Sequence, residues 1–260
     1  MDVTQAKGVV DMLSTTWNIP NADFVAGLFG ELWMPSVRGN VVQAFEFSFL
    51  EDTEMIRVNH LYFADMGEKH SDAVRRERKE KIISVVRTVG QKYSMKFDEC
   101  SFGNVLAFSD SDDRFPLQFG LEYGRNERLR IKLYFSIDGL SFPSQSFCDT
   151  ICLGYGESVE AYAENGFDTV AVDFLPDGKT RLKVYPLSSR HSGTLLRFSE
   201  SGVVVSKKVW HRIPEGVNAR QFLESGFLSV PDILGKYMVE NRLRISYLCE
   251  ERGKRSVYFR

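Results

Sequence analysis

No stretch of this chain stays apolar for the ~20 residues that a membrane-crossing helix needs. Its N-terminus, MDVTQAKGVV, has neither the basic start nor the long apolar centre of a signal peptide. The cytoplasm is therefore the expected compartment. A charge of one sign is missing too: 33 Lys plus Arg stand against 35 Asp plus Glu, which excludes a generic polyanion binder of the basic-tail kind. Cysteines number only 4, and Cys148 and Cys152 in CDTIC fit an i,i+4 helical pair of buried, reduced thiols. The 4 histidines, His60, His70, His191 and His211, lack zinc-ligand spacing, so a protein-held transition metal is not expected. Neither Gly-x4-Gly-Lys-Ser/Thr nor Gly-x-Gly-x-x-Gly occurs, which removes the common nucleotide-binding frameworks.

The chain does hold the means for a large core, with 43% hydrophobic residues in 260, and no low-complexity segment or linker divides it. We expect a single domain over 1–260. Helical patterns at 3–16, about 21–34, 68–93, about 144–164 and about 217–241 separate paired strand patterns. The pairs turn at EDT, GRNE, LPDGK, ESG and EERG, giving about ten strands in five hairpins. Helices before hairpins point to an antiparallel α+β fold, unlike the β-α alternation of a parallel sheet. The apolar strand faces must pack on helices. The polar faces then meet solvent in an open sheet or line a closed barrel.

Two strands carry an unusual polar face. GKTRLKVYP sets Lys179, Arg181, Lys183 and Tyr185 at every second position, and ERLRIKLYF does the same with Arg128, Arg130, Lys132 and Tyr134. The last strand places Lys254, Ser256 and Tyr258 on one face. A plain solvated sheet face accounts for such a pattern. However, the cations sit on a few strands with few acids on the same faces, and cations enclosed together repel unless a polyanion neutralises them. A multiply charged phosphate is the natural occupant. Nucleic acid is disfavoured by the near-neutral chain, the lack of RNP-type sequence and the shortage of Phe or Trp on these faces. In QAFEFSFL, Phe45, Phe47 and Phe49 take one face and Ala44, Glu46 and Ser48 the other. Periodicity alone leaves Glu46 either a proton acceptor or an ion-pair partner of Arg57 or a lysine.

These stretches resemble the ABBA aromatic prenyltransferases. NGFDTVAVDFLPDGKTRLKVYP is similar to the segment of that family that leads into its diphosphate-contacting strand. RIKLYF and GKRSVYF resemble two further basic-tyrosine strands, and FEFS the acid-x-Ser strand near metal and acceptor. LYFADM, GFDTVAVDF and VWHRI look closest to the cyanobactin-type peptide prenyltransferases. The resemblance implies a ten-stranded antiparallel barrel, the PT barrel, built from repeated α-β-β-α units with helices outside. It implies transfer of a dimethylallyl or geranyl group from its diphosphate to a side chain of a modified or cyclic peptide. Prenylation of a small aromatic metabolite is the alternative within enzymes. A non-catalytic anion-binding barrel is the alternative outside them.

In that frame Lys132, Lys183 and Lys254 grip the diphosphate, with Lys179 and Lys207 as weaker candidates. Lys207 is preferred over its neighbour Lys208, and Arg57 or Asn59 supplies the second-strand contact. Mg²⁺ bridges phosphate oxygens, with Ser48 a possible contributor. Tyr134, Tyr185 and Tyr258 shield the allylic cation, and Glu46 takes or orients the acceptor's proton. The Asp-rich helix of isoprenoid-chain synthases is absent; SDSDDR comes nearest but reads as a loop. The chain is expected to act as a monomer, without nucleic acid or membrane. Its short turns and its stop at Arg260, directly after the last strand, suggest an open barrel mouth suited to a peptide.

Overall fold

Alternating side chains give each strand one apolar and one polar face, and the chain buries both by curling the sheet on itself. In the computed structural model the described residues are 1–34, 42–63, 72–93, 116–125, 129–136, 167–186, 192–198, 204–213 and 217–260. The strands are β1 (Val42–Leu50), β2 (Met55–Phe63), β3 (Pro116–Gly124), β4 (Leu129–Ser136) and β5 (Phe167–Phe174). They continue as β6 (Thr180–Pro186), β7 (Ser192–Phe198), β8 (Val204–Arg212), β9 (Ile245–Glu251) and β10 (Lys254–Phe259). Each pairs antiparallel with its sequence neighbour, and β1 also pairs with β10, so the sheet closes into a barrel without free edges. The expected α+β class, with a large curled antiparallel sheet, is what the chain adopts.

Helices α1 (Val3–Trp17) and α2 (Ala22–Leu32) cover one flank of the barrel, and α3 (Asp72–Tyr93) packs beside α2. Asp2 starts α1 with a reciprocal capping box to Gln5, and Asn18 ends it in the left-handed conformation. The outward faces of the strands supply the core. Phe45 meets Phe29 of α2 at a ring separation of 4.6 Å, and Phe49 stacks on Trp17 of α1 at 6.0 Å. The helical pattern read at about 217–241 is two short helices, α4 (Ala219–Glu224) and α5 (Asp232–Glu240). Pro231, just ahead of α5, cannot continue a helix begun before it. The helix expected at about 144–164, the Cys148/Cys152 pair and SDSDDR lie outside the described residues. No described helix is long and apolar enough to cross a membrane.

Candidate active site

With Phe45, Phe47 and Phe49 turned to the helices, the opposite face of β1 points into the lumen and carries Glu46 and Ser48. The register then fixes the neighbours: Glu46 is opposite Asn59, Arg57 opposite Glu122, and Gly120 opposite Lys132. Arg57 and Asn59 therefore both face inward, two residues apart on β2. Gly120 is needed at its position, because a Cβ there would come within 2.7 Å of Asn59 Oδ1 and 3.2 Å of Lys132 Cβ.

A cavity of about 230 Å³ occupies one end of the lumen. Tyr134, Tyr185 and Tyr258, the three phenols expected there, all line it. Tyr247 and Trp210 join them, and the sequence argument had missed both. Tyr134 and Tyr185 face each other at 6.1 Å, while Tyr247 stands edge-on to Trp210 at 5.6 Å and to Tyr258 at 6.3 Å. Burial, reinforced by Tyr185 and Tyr258, pushes the Tyr134 phenol well above its ordinary pKa, so it stays neutral. Glu46 also lines the cavity, and its Oε1 is buried with no hydrogen-bond partner among the described residues. Burial raises the Glu46 carboxyl, opposed more weakly by Ser246, Arg260 and Asn59. A buried carboxylate oxygen without a donor is an acceptor held ready for a proton or an N–H from a ligand. Ion pairing with Arg57, left open by periodicity, is not what is found.

Of the two adjacent lysines, Lys208 lines the cavity, as does Arg260, and Lys207 does not. Lys208 is buried, donates to Tyr258 Oη at 2.8 Å and lies 4.9 Å from the centre of that ring. Lys207 is exposed on the other face of β8. This corrects the expectation, since adjacent lysines on a strand must point oppositely. Lys179, in the turn between β5 and β6, and Lys254, at the start of β10, are both exposed and are not among the residues that line the cavity.

Lys132, Lys183 and Arg57 do face the lumen, but they lie together beside the tyrosines and carry counter-ions. Arg57 Nε donates to Glu122 Oε1 at 3.0 Å, Lys132 Nζ contacts the same oxygen, and Arg130 Nη1 meets Oε2 at 3.0 Å. Lys183 Nζ donates to Asp173 Oδ1 at 2.6 Å. The expectation of few acids on these faces is thus overturned: Glu122 on β3 and Asp173 on β5 share the lumen with the cations. Burial alone would raise the Glu122 carboxyl, but Lys132, Arg57, Arg130 and Lys183 hold it well below the usual carboxylate range. Burial brings Lys132 down to about 8 despite Glu122 and Asp173.

The Mg²⁺ implied by the resemblance finds no protein ligand set. Among the described residues no group of three or more His, Cys, Asp or Glu is placed to hold a metal. Glu122 and Asp173 are engaged by lysine and arginine, and a cluster with more cations than carboxylates repels a divalent ion. Ser48 is a single buried hydroxyl on the same face. The residues present do not fit a metal held by side chains.

The closed antiparallel barrel with helices outside is shared with solved structures of other proteins. The chain matches "NotF in complex with brevianamide F and DMSPP" with a TM-score of 0.63 at 11% identity, over 97% of this chain and 92% of that one. It matches 6-dimethylallyltryptophan synthase from Micromonospora olivasterospora, in complex with DMASPP and Trp, at 0.63 and 13% identity, over 99% and 97%. A second structure of NotF prenyltransferase matches at 0.53 and 14% identity, over 92% and 87%. No protein-family model matches the chain, and neither does any curated protein sequence.

Proposed function

We propose that the protein is a prenyltransferase that moves a dimethylallyl or geranyl group from its diphosphate to an aromatic acceptor. The observation that carries this is Glu46 Oε1, without a hydrogen-bond partner among the described residues, inside a cavity walled by four tyrosines and a tryptophan. The likeness of the whole barrel to structures with DMSPP and DMASPP supports it.

In the reaction the allylic C–O bond breaks and its electron pair leaves with pyrophosphate. Lys208, Arg57 and Lys132 stabilise the charge that develops on the leaving oxygens. The allylic cation lies against Tyr134, Tyr185 and Tyr258, whose ring faces attract it without trapping it and keep water out. Cys249 also lines the cavity, and burial raises its thiol, so it remains a poor competitor for the cation. The acceptor ring supplies the electron pair for the new C–C or C–heteroatom bond, and its proton passes to Glu46. Magnesium enters this proposal only as an ion carried on the donor's own phosphate oxygens.

For the acceptor's setting we propose a side chain of a modified or cyclic peptide, the setting that the resemblance to cyanobactin-type enzymes implies. A free aromatic metabolite is its rival. Mass spectrometry of dimethylallyl and geranyl diphosphate with cyclic peptides, their linear counterparts, free indoles and phenols tests both levels. A prenylated product of any class supports the transferase. A higher kcat/KM for every free small molecule than for any peptide removes the peptide assignment. The ion pairs of the lumen favour a second reading, a non-catalytic anion-binding barrel, which predicts donor binding without pyrophosphate release.

A further inference from the structure

The cluster beside the tyrosines contains its own anions, and the transfer reaction as described does not use them. Glu122 is held by three cations at once. Its Oε1 takes Arg57 and Lys132, and its Oε2 takes Arg130. One carboxylate that gathers an ammonium and two guanidinium groups makes the contacts expected of a phosphate group. Yet it does not satisfy them all. Arg57 Nη1 is buried with no hydrogen-bond partner among the described residues, a donor that calls for one more anionic oxygen. Among the described residues the cluster brings four cations to two carboxylates.

The two acids are not equivalent. Asp173 and Lys183 have side chains only 1% and 3% exposed and pair with each other, with Arg130 3.9 Å from Asp173. Removing Asp173 would strand a buried ammonium. Glu122 instead shares Arg130, whose side chain is 30% exposed, so one of its three partners can swing away. Tyr134 lies close enough to feel both carboxylates, which places the cluster next to the cavity where the donor's reacting carbon would lie.

We propose that Glu122 is a built-in competitor for the donor's diphosphate. It occupies Arg57, Lys132 and Arg130 in the empty barrel, yields them when the diphosphate arrives, and reclaims them to expel pyrophosphate. Asp173 is by contrast a fixed structural counter-ion of Lys183. This rests on the prenyltransferase reading and names the residue that sets how tightly that site holds its leaving group. Glu122 touches no reacting atom and is a positioning residue.

The test is calorimetric titration of inorganic pyrophosphate into the full chain, as wild type, Glu122→Gln, Glu122→Asp and Asp173→Asn, with a thermal melt of each. Loss of a competing charge-assisted partner should tighten pyrophosphate by about tenfold in Glu122→Gln and by less in Glu122→Asp. Asp173→Asn should lower the melting temperature and give no tightening. In single-turnover and steady-state assays Glu122→Gln should keep its chemical step but release pyrophosphate more slowly, so kcat falls while KM for the donor falls with it. Unchanged or weaker pyrophosphate binding in a folded Glu122→Gln overturns the proposal, as does an absence of pyrophosphate binding in every variant. If Glu122→Gln does not fold, Glu122→Asp decides by the same criterion. Tightening without prenylation of any acceptor would sink the transferase reading and leave the role of Glu122 standing.

Discussion

At the scale of single residues, Glu46 makes the sharpest claim. Its carboxyl is buried, raised by that burial, and its Oε1 has no donor among the described residues. Glu46→Gln keeps the shape and removes the base, so kcat should fall by about 10²–10⁴-fold with donor affinity little changed. The sign for stability runs the other way. A carboxyl whose folded pKa lies above its unfolded value costs stability once pH exceeds the unfolded value. Glu46→Gln should therefore hold or raise the melting temperature at neutral pH, whereas loss of a structural ion-pair partner would lower it. The rate should also fall off on the acid side at a higher pH than an ordinary carboxylate would give. A full rate in the Gln variant would return proton transfer to water or to the departing pyrophosphate. Lys132 gives a second dependence. With its pKa brought to about 8 by burial, among Glu122, Asp173, Arg57 and Arg130, it loses charge as pH rises through that value. Donor affinity should weaken above about pH 8 and weaken less in Lys132→Arg, read by calorimetry across pH.

At the scale of the strand, alternation explains most of what the sequence revealed and most of what it hid. Period two put Glu46, Lys132, Lys183, Tyr134, Tyr185 and Tyr258 on the polar strand faces, and those faces line the lumen. The same rule held the answer for Glu122 in PLQFGLEY and Asp173 in DTVAVDF, since each sits on the face opposite large apolar residues. Neither role is legible from its own strand, because these ion pairs form between neighbouring strands. Lys207 and Lys208 are adjacent, so alternation says that only one points inward but not which. The register shift in β7 beside them blurs any count from the hairpin. Lys208→Met should weaken donor binding and transfer, and Lys207→Met should leave both near wild type, which kinetics of the two variants will show. Gly120→Ala is the test of strand packing. Its added carbon would press on Asn59 and Lys132, so we expect transfer to drop more than stability does, measured by kcat/KM beside a thermal melt. An Ala variant with unaltered kinetics would mean that Asn59 and Lys132 do not need their present spacing.

At the scale of the whole molecule, closure turns alternation into enclosure. An open sheet would leave these lysines and arginines in water, where such pairs contribute little. Joining β1 to β10 places them in a lumen of low dielectric, where each cation needs an anion and each anion competes with the next. The fold was legible because helix and hairpin patterns repeat along the chain, although the order of strands around the ring came from pairing alone. The central claim is that this enclosure ionises a prenyl diphosphate and directs the cation to an acceptor. The direct measurement is pyrophosphate release from dimethylallyl diphosphate and geranyl diphosphate across a panel of aromatic peptides and free aromatics, with product masses read in parallel. The account predicts pyrophosphate and an acceptor heavier by one prenyl group in matching amounts, with both formed far more slowly in Glu46→Gln. Tight donor binding with no pyrophosphate released to any acceptor would contradict it.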